Sequence, residues 1–172
     1  MKTPDDRHWF RSQMEEHEAA LLRYAARITG DADRARDVVQ DTFLRLFRQE
    51  REVVDGHVLQ WLFTVCRNRA LDVRRKEGRM NTSDETGFAA LKSPDPPPAA
   101  ALETRETLGR VFALLDRLPP RQQEVIRLKF QNGLSYKEIS GITSHSVSYV
   151  GVLIHEGMKT LRARLGALTP EA

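Results

Sequence analysis

The chain has 172 residues, 40% of them apolar and 30% charged, with a net charge of +3, so it holds one ordinary domain or two small ones and allows a nucleic-acid partner without requiring it. A single cysteine, Cys66, excludes an internal disulfide framework. No apolar run approaches the roughly 18 residues that span a bilayer, and the first seven residues lack the apolar centre of a signal peptide, so the expectation is a cytoplasmic protein without membrane insertion.

No strand pattern occurs, while helical periodicity recurs from end to end. Phe10, Met14, His17, Leu21, Tyr24 or Ala25, and Ile28 step by three and four, which predicts a first helix that Gly30 closes. Asp31 is placed to cap a second helix that buries Ala35, Val39, Phe43 and Leu46. A third helix is predicted from about Val58 to Lys76, with Leu59, Leu62, Cys66, Ala70 and Val73 on one stripe. Between Met80 and about Ala100 the composition turns to Thr, Ser, Gly and three consecutive prolines, which cannot sit inside a helix and read as a linker. Helical pattern returns with Leu108, Val111, Phe112 and Leu115, breaks at Leu118-Pro119-Pro120, and resumes with Val125, Ile126 and Phe130. Ser135-Tyr136-Lys137-Glu138 has the spacing of a capping box for a short helix ending near Ile142. Ser146 then caps a last helix holding Val150, Ile154, Leu161 and Leu165, which gives a helix-turn-helix outline. The fold class expected is all-α: two small helical domains, residues 1–79 and 102–172, joined by a flexible Pro-rich linker at 80–101.

The third helix carries the most chemistry. Asn68, Asp72, Arg75 and Arg79 fall at i, i+4, i+7 and i+11 and share a face, with Arg67, Arg74 and Lys76 beside it and Trp61 and Phe63 upstream. Arginines suit phosphates and an asparagine amide can read an unpaired base edge. The same pattern also describes a solvated basic helix end that complements the helix dipole, with Asp72 and Arg75 simply paired.

Three ordered segments resemble the extracytoplasmic-function sigma factors of bacterial RNA polymerase: Gly30 through Phe47, Trp61 through Arg75, and Leu118 through Ile126 with Leu134 through Ile139. The resemblance covers about residues 10–79 and 102–166. It implies a non-enzymatic protein that needs no cofactor, binds core RNA polymerase and promoter DNA, and is held inactive by an anti-sigma protein. It implies that Asp37, Gln40, Asp41 and Leu44, at i, i+3, i+4 and i+7, dock on the clamp helices of the largest catalytic polymerase subunit. It implies that Trp61, Arg67, Asn68, Asp72, Arg74, Arg75 and Arg79 read and melt the minus-ten element, with Asn68 beside the pocket for a flipped base. The helix-turn-helix would meet the minus-thirty-five element through Arg121, Ser135, Tyr136, Lys137, Ser148, Tyr149, Val152, His155 and Lys159.

Two departures from the family pattern stand out. Arg36 occupies a place that is commonly acidic, and the recognition helix carries Gly151, Leu153 and Glu156 where relatives often present Lys or Arg. Its turn has Ser144 in place of the usual glycine.

Rival readings are a sigma-like helix-turn-helix regulator without productive polymerase engagement, a helical module that binds only protein, and a metal-dependent nuclease. The regulator leaves the Asp37–Leu44 face and the Asn68 helix without a role, and the protein-binding module leaves the arginines unexplained. The nuclease finds no support in the spacing of His8, His17, His57, His145 and His155, nor in any Gly-rich phosphate loop or nucleophile elbow. No catalytic or metal-ligating residues are therefore expected. Cys66 and His17, both on apolar stripes, read as packed residues.

Overall fold

A computed structural model describes residues 2–78, 88 and 101–168, and every regular element among them is helical. Helix α1 (Pro4–Thr29) starts earlier than its apolar stripe because Thr3 and Asp6 form a reciprocal capping box, with Pro4 in the first turn. The box is spelled with Asp where Glu or Gln is usual, and the Thr3 backbone N–H and hydroxyl hold the Asp6 carboxyl below its ordinary value. Gly30 ends α1 in the left-handed conformation at φ 72°. Asp31 then accepts from the Arg34 amide and opens α2 (Ala32–Arg48), as expected. A four-residue helix α3 (Arg51–Val54), too short to leave a periodic trace, drops Val54 into the core before α4 (Val58–Lys76).

These helices close a first core. Leu21, Ala25 and Ile28 of α1, Ala35, Val38, Val39, Phe43 and Leu46 of α2, and Leu62, Phe63, Cys66 and Ala70 of α4 are all buried. Phe63 has no exposed surface, and its ring meets Tyr24 edge-on at 5.1 Å. Cys66 is an inert core residue: burial pushes its thiol up to about 12.

The second bundle comprises α5 (Leu102–Leu115), α6 (Pro120–Ile126), α7 (Tyr136–Thr143) and α8 (Val147–Leu168), with α6 running into a π turn at Arg127–Gln131. Only the end of α5, Leu114 and Leu115, is fully buried, so Leu108, Val111 and Phe112 are half-covered where the stripe predicts core. Phe130 is a second correction. The π turn inserts a residue relative to α-helical phase, which gives the core position to Leu128 and leaves Phe130 60% exposed. Gly157 lets α8 close on α6, since a Cβ there would come 2.4 Å from Ile126 Cδ1.

The two bundles pack against each other, an arrangement that the linker composition leaves open. Helix α7 lies along α4, with Gly141 beside the end of the Gln60 side chain. Tyr24 and Arg27 of α1 also reach the second bundle. Phe88, the described residue between the bundles, is buried with its ring 6.1 Å from that of Tyr24 and 5.8 Å from the Arg27 guanidinium.

His17 gives a test of the first core. Burial, opposed weakly by Glu16, pushes its imidazole below the ordinary 6.5. The unfolded chain therefore takes up the proton more readily, so the stability contributed by neutral His17 is present above pH 6.5 and is lost as pH falls below it. Urea midpoints measured on either side of pH 6.5 should fall on the acid side, and His17→Gln should show a smaller fall.

Candidate polymerase and nucleic-acid interface

The polar face of α2 stands free of the core that its other side builds. Asp37 and Gln40 are exposed, and Leu44 is 53% exposed, an apolar anchor on a polar surface. Asp41 differs: it is half-buried and paired with Arg69 Nε of α4 at 2.8 Å, so it ties the two helices together. Gln40 and Leu44 also line an open groove of about 440 Å³ between α1 and α2, whose other walls include Phe10, Met14, Leu22, Val39 and Phe43. Arg36 sits on its rim and is exposed, 3.6 Å from Asp33. Sequence reasoning assigns Phe10 and Met14 only to the core stripe. Their incomplete burial, and the edge-on stacking of Phe10 on the 40%-exposed Phe47 at 5.1 Å, make them part of an open apolar surface instead.

On α4, Asn68, Asp72 and Arg75 are exposed in one row as their spacing predicts, and Asp72 and Arg75 approach at 3.4 Å. Trp61 is half-buried against the core. Arg79 lies outside the described residues. Arg67 and Arg74 depart from the expected open phosphate-binding edge, because both are buried. The Arg67 Nε donates to Glu124 Oε1 of α6 at 2.8 Å, and Glu124 has no exposed surface. Burial works against the Arg67 charge, but Glu124 and the Tyr24 hydroxyl outweigh it and hold this guanidinium above its ordinary value. A helical wheel of α4 cannot show this, since the covering side chain comes from a helix more than fifty residues away.

In the helix-turn-helix, Ser135 accepts from the Glu138 amide at 3.1 Å while the Glu138 carboxylate accepts from the Ser135 amide at 2.7 Å. Ser146 accepts from the Tyr149 amide and starts α8. Ser135, Tyr136, Lys137, Ser148, Tyr149, Val152, His155 and Lys159 are all exposed, and half-buried Arg121 donates to the Tyr149 hydroxyl at 3.4 Å. Two of the three atypical residues need correction. Leu153 is buried in the core and Gly151 is packed near the Tyr136 ring, so only Glu156 is exposed in place of a family cation. Among the described residues no group of three or more His, Cys, Asp or Glu is placed to hold a metal, and no helix is long and apolar enough to cross a membrane.

The two bundles match two family descriptions: Sigma-70 region 2 over residues 14–80 and Sigma-70, region 4 over residues 108–161. The fold is similar to that of the sigma factor RpoE crystallised with the anti-sigma factor NepR from Bartonella quintana, at a TM-score of 0.65 and 23% identity over 91% of this chain and 96% of that one. It is also similar to CnrH in complex with the cytosolic domain of CnrY, at a TM-score of 0.58 and 26% identity over 95% and 91%. Among curated relatives, the ECF RNA polymerase sigma factor SigL of Mycobacterium tuberculosis is 32% identical over 165 residues, 92% of this chain and 89% of SigL. EcfG of Rhodopseudomonas palustris is 32% identical over 148 residues, 85% and 79% of the two chains. The protein belongs to the extracytoplasmic-function sigma factors and directs promoter-specific transcription.

The turn between α7 and α8 carries its own prediction. Ser144 adopts the left-handed conformation at φ 63°, a strain that glycine does not feel. Ser144→Gly should raise unfolding stability by about 0.5–1 kcal/mol in denaturant titrations, and Ser135→Ala should lower it by about 1 kcal/mol through loss of the cap.

Proposed function

We propose that the first bundle, residues 1–79, docks on the clamp helices of the largest polymerase subunit through Asp37, Gln40 and Leu44, with Asp41 holding α2 against α4. The observation that carries this reading is that α2 and α4 share one core yet each turns a separate functional row outward: Asp37–Gln40–Leu44 on one, Asn68–Asp72–Arg75 on the other. A polymerase-facing row and a strand-facing row on adjacent helices let binding energy from the first position the second.

Asn68 reads a base flipped from the non-template strand, with Trp61 beside the stacked bases and Arg75 and Arg79 holding phosphates. Unstacking costs a few kcal/mol for each base, and stacking and phosphate contacts in the captured strand offset it, so no nucleotide hydrolysis by this chain is needed. The second bundle, residues 102–172 beyond the linker at 80–101, contacts the minus-thirty-five element. There Tyr149, Val152 and His155 supply base contacts, and Arg121, Lys137 and Lys159 the phosphate contacts. The protein works in the cytoplasm, where promoter DNA and polymerase meet. The apolar groove beside Gln40 and Leu44 suits an anti-sigma protein, and the RpoE–NepR complex supports that expectation.

Promoter-dependent transcription with cognate core polymerase tests the reading. Asn68→Ala should lower initiation by about 5- to 150-fold without loss of polymerase binding, in line with about 1–3 kcal/mol for a specific base contact. Alanine at Asp37, Gln40 and Asp41 together should abolish both initiation and polymerase binding. A folded chain that binds duplex DNA but neither binds core polymerase nor initiates would replace this reading with the regulator.

A further inference from the structure

Glu156 brings negative charge to the face of α8 that the proposed function turns toward DNA. Its side chain is exposed, while Leu153, Ile154 and Gly157 beside it fill the core. A solvated carboxylate on a helix commonly finds a cation three or four residues away. Lys159 stands at i+3, yet the Glu156 carboxylate forms no ion pair or hydrogen bond with it or with any other described residue. Val152 lies one turn before Glu156 and is 49% exposed. Both line an open groove of about 470 Å³ that Arg121 and Tyr149 also line.

We propose that Glu156 is a specificity residue of α8: its carboxylate accepts a hydrogen bond from the amino group of a cytosine in the minus-thirty-five element. This rests on the contact proposed above between the second bundle and that element, and it names one base that the contact selects.

The chemistry of the major groove narrows the target to one base. Guanine presents only the acceptors N7 and O6 there, and thymine presents O4 and a methyl group, so neither can donate to a carboxylate. Adenine has an amino group, but acceptors flank it on both sides, its own N7 and O4 of the paired thymine. Cytosine N4 has an acceptor on one side only, guanine O6, and the C5–H edge on the other. A carboxylate oxygen therefore meets the least repulsion at cytosine.

The surroundings of Glu156 suit that contact. Arg121 shares the groove and Lys159 lies nearly one turn on, so the repulsion between this carboxylate and the backbone phosphates is offset locally. Ser148 and Glu156 lie eight positions apart, about 12 Å along the helix at about 1.5 Å per residue. That is roughly the rise of three to four base pairs, so the two side chains address different pairs.

Initiation with cognate core polymerase, on promoters randomised across the minus-thirty-five element and fixed at the minus-ten element, tests the assignment. The native chain should favour a C·G pair at one position by about 5- to 150-fold. Glu156→Ala should erase the preference at that position and leave the rest of the profile intact. Glu156→Gln should move the preference there to adenine, whose N6 and N7 an amide reads together. The side chain is exposed, so both variants should keep native helical circular dichroism. A native profile without a preferred C·G pair overturns the assignment. So does a profile unchanged by Glu156→Ala, or a uniform rise in initiation on every template, the signature of phosphate repulsion alone. A native chain that initiates with no preference at any minus-thirty-five position would overturn the proposed role of the second bundle first, and the assignment with it.

Discussion

Glu124 sits where water cannot reach it, and the two groups that donate to its Oε1 belong to the other half of the molecule. Removing one partner of a buried ion pair typically costs about 3–5 kcal/mol, because the remaining charge is stranded in a low-dielectric surrounding. Burial and the neighbouring carboxylate push the Tyr24 hydroxyl well above 10, so it stays protonated and donates to Glu124. Around this carboxylate the other seam contacts fall into place: Phe88 against Tyr24 and Arg27, Asp116 between two arginines, and α7 along α4 with Gly141 beside the end of the Gln60 side chain. Arg127 feels the crowding most. Burial and the like charge of Arg27, against the pull of Asp116, bring its guanidinium down to about 10.

That arrangement ties stability to function through a single helix. The inner face of α4 supplies Leu62, Phe63, Cys66 and Ala70 to the core, one edge supplies Arg67 to the seam, and the outer row keeps Asn68, Asp72 and Arg75 in solvent. Each assignment follows from the 3.6-residue period, so the three roles cannot be varied independently by shifting the helix. The polymerase-facing row on α2 is braced by the Asp41–Arg69 pair, which couples its orientation to α4. Contacts made by a partner on α2 are thereby placed next to the helix proposed to read DNA.

The sequence made much of this legible, for identifiable reasons. Helix starts at Asp31, Ser135 and Ser146 and the stop at Gly30 could be read because capping depends on residues adjacent in the chain. The exposed rows on α2 and α4 could be read because residues at three- and four-residue spacing share a face. The Thr3–Asp6 start was missed because Asp replaces the usual Glu, and α3 because four residues carry no period. Phe130 was misplaced because a π turn breaks the phase that a helical wheel assumes. Leu153 was placed outward by analogy, although its neighbours Val150, Ile154 and Gly157 all face the core. Arg67 is the instructive case: its position on the basic face was read correctly, but its burial depends on a residue fifty-seven positions away in sequence.

The distance between the bundles is the most direct test of the seam that Glu124 closes. Spin labels at Glu52→Cys on α3 and Arg164→Cys on α8, both exposed positions, report it by pulsed electron resonance. The packed seam gives one narrow distance in the free chain, and the proposed contact with both promoter elements gives a longer one when core polymerase and promoter are added. A broad distribution in the free chain would contradict the packed seam, and the same distance in both states would contradict simultaneous contact with both promoter elements.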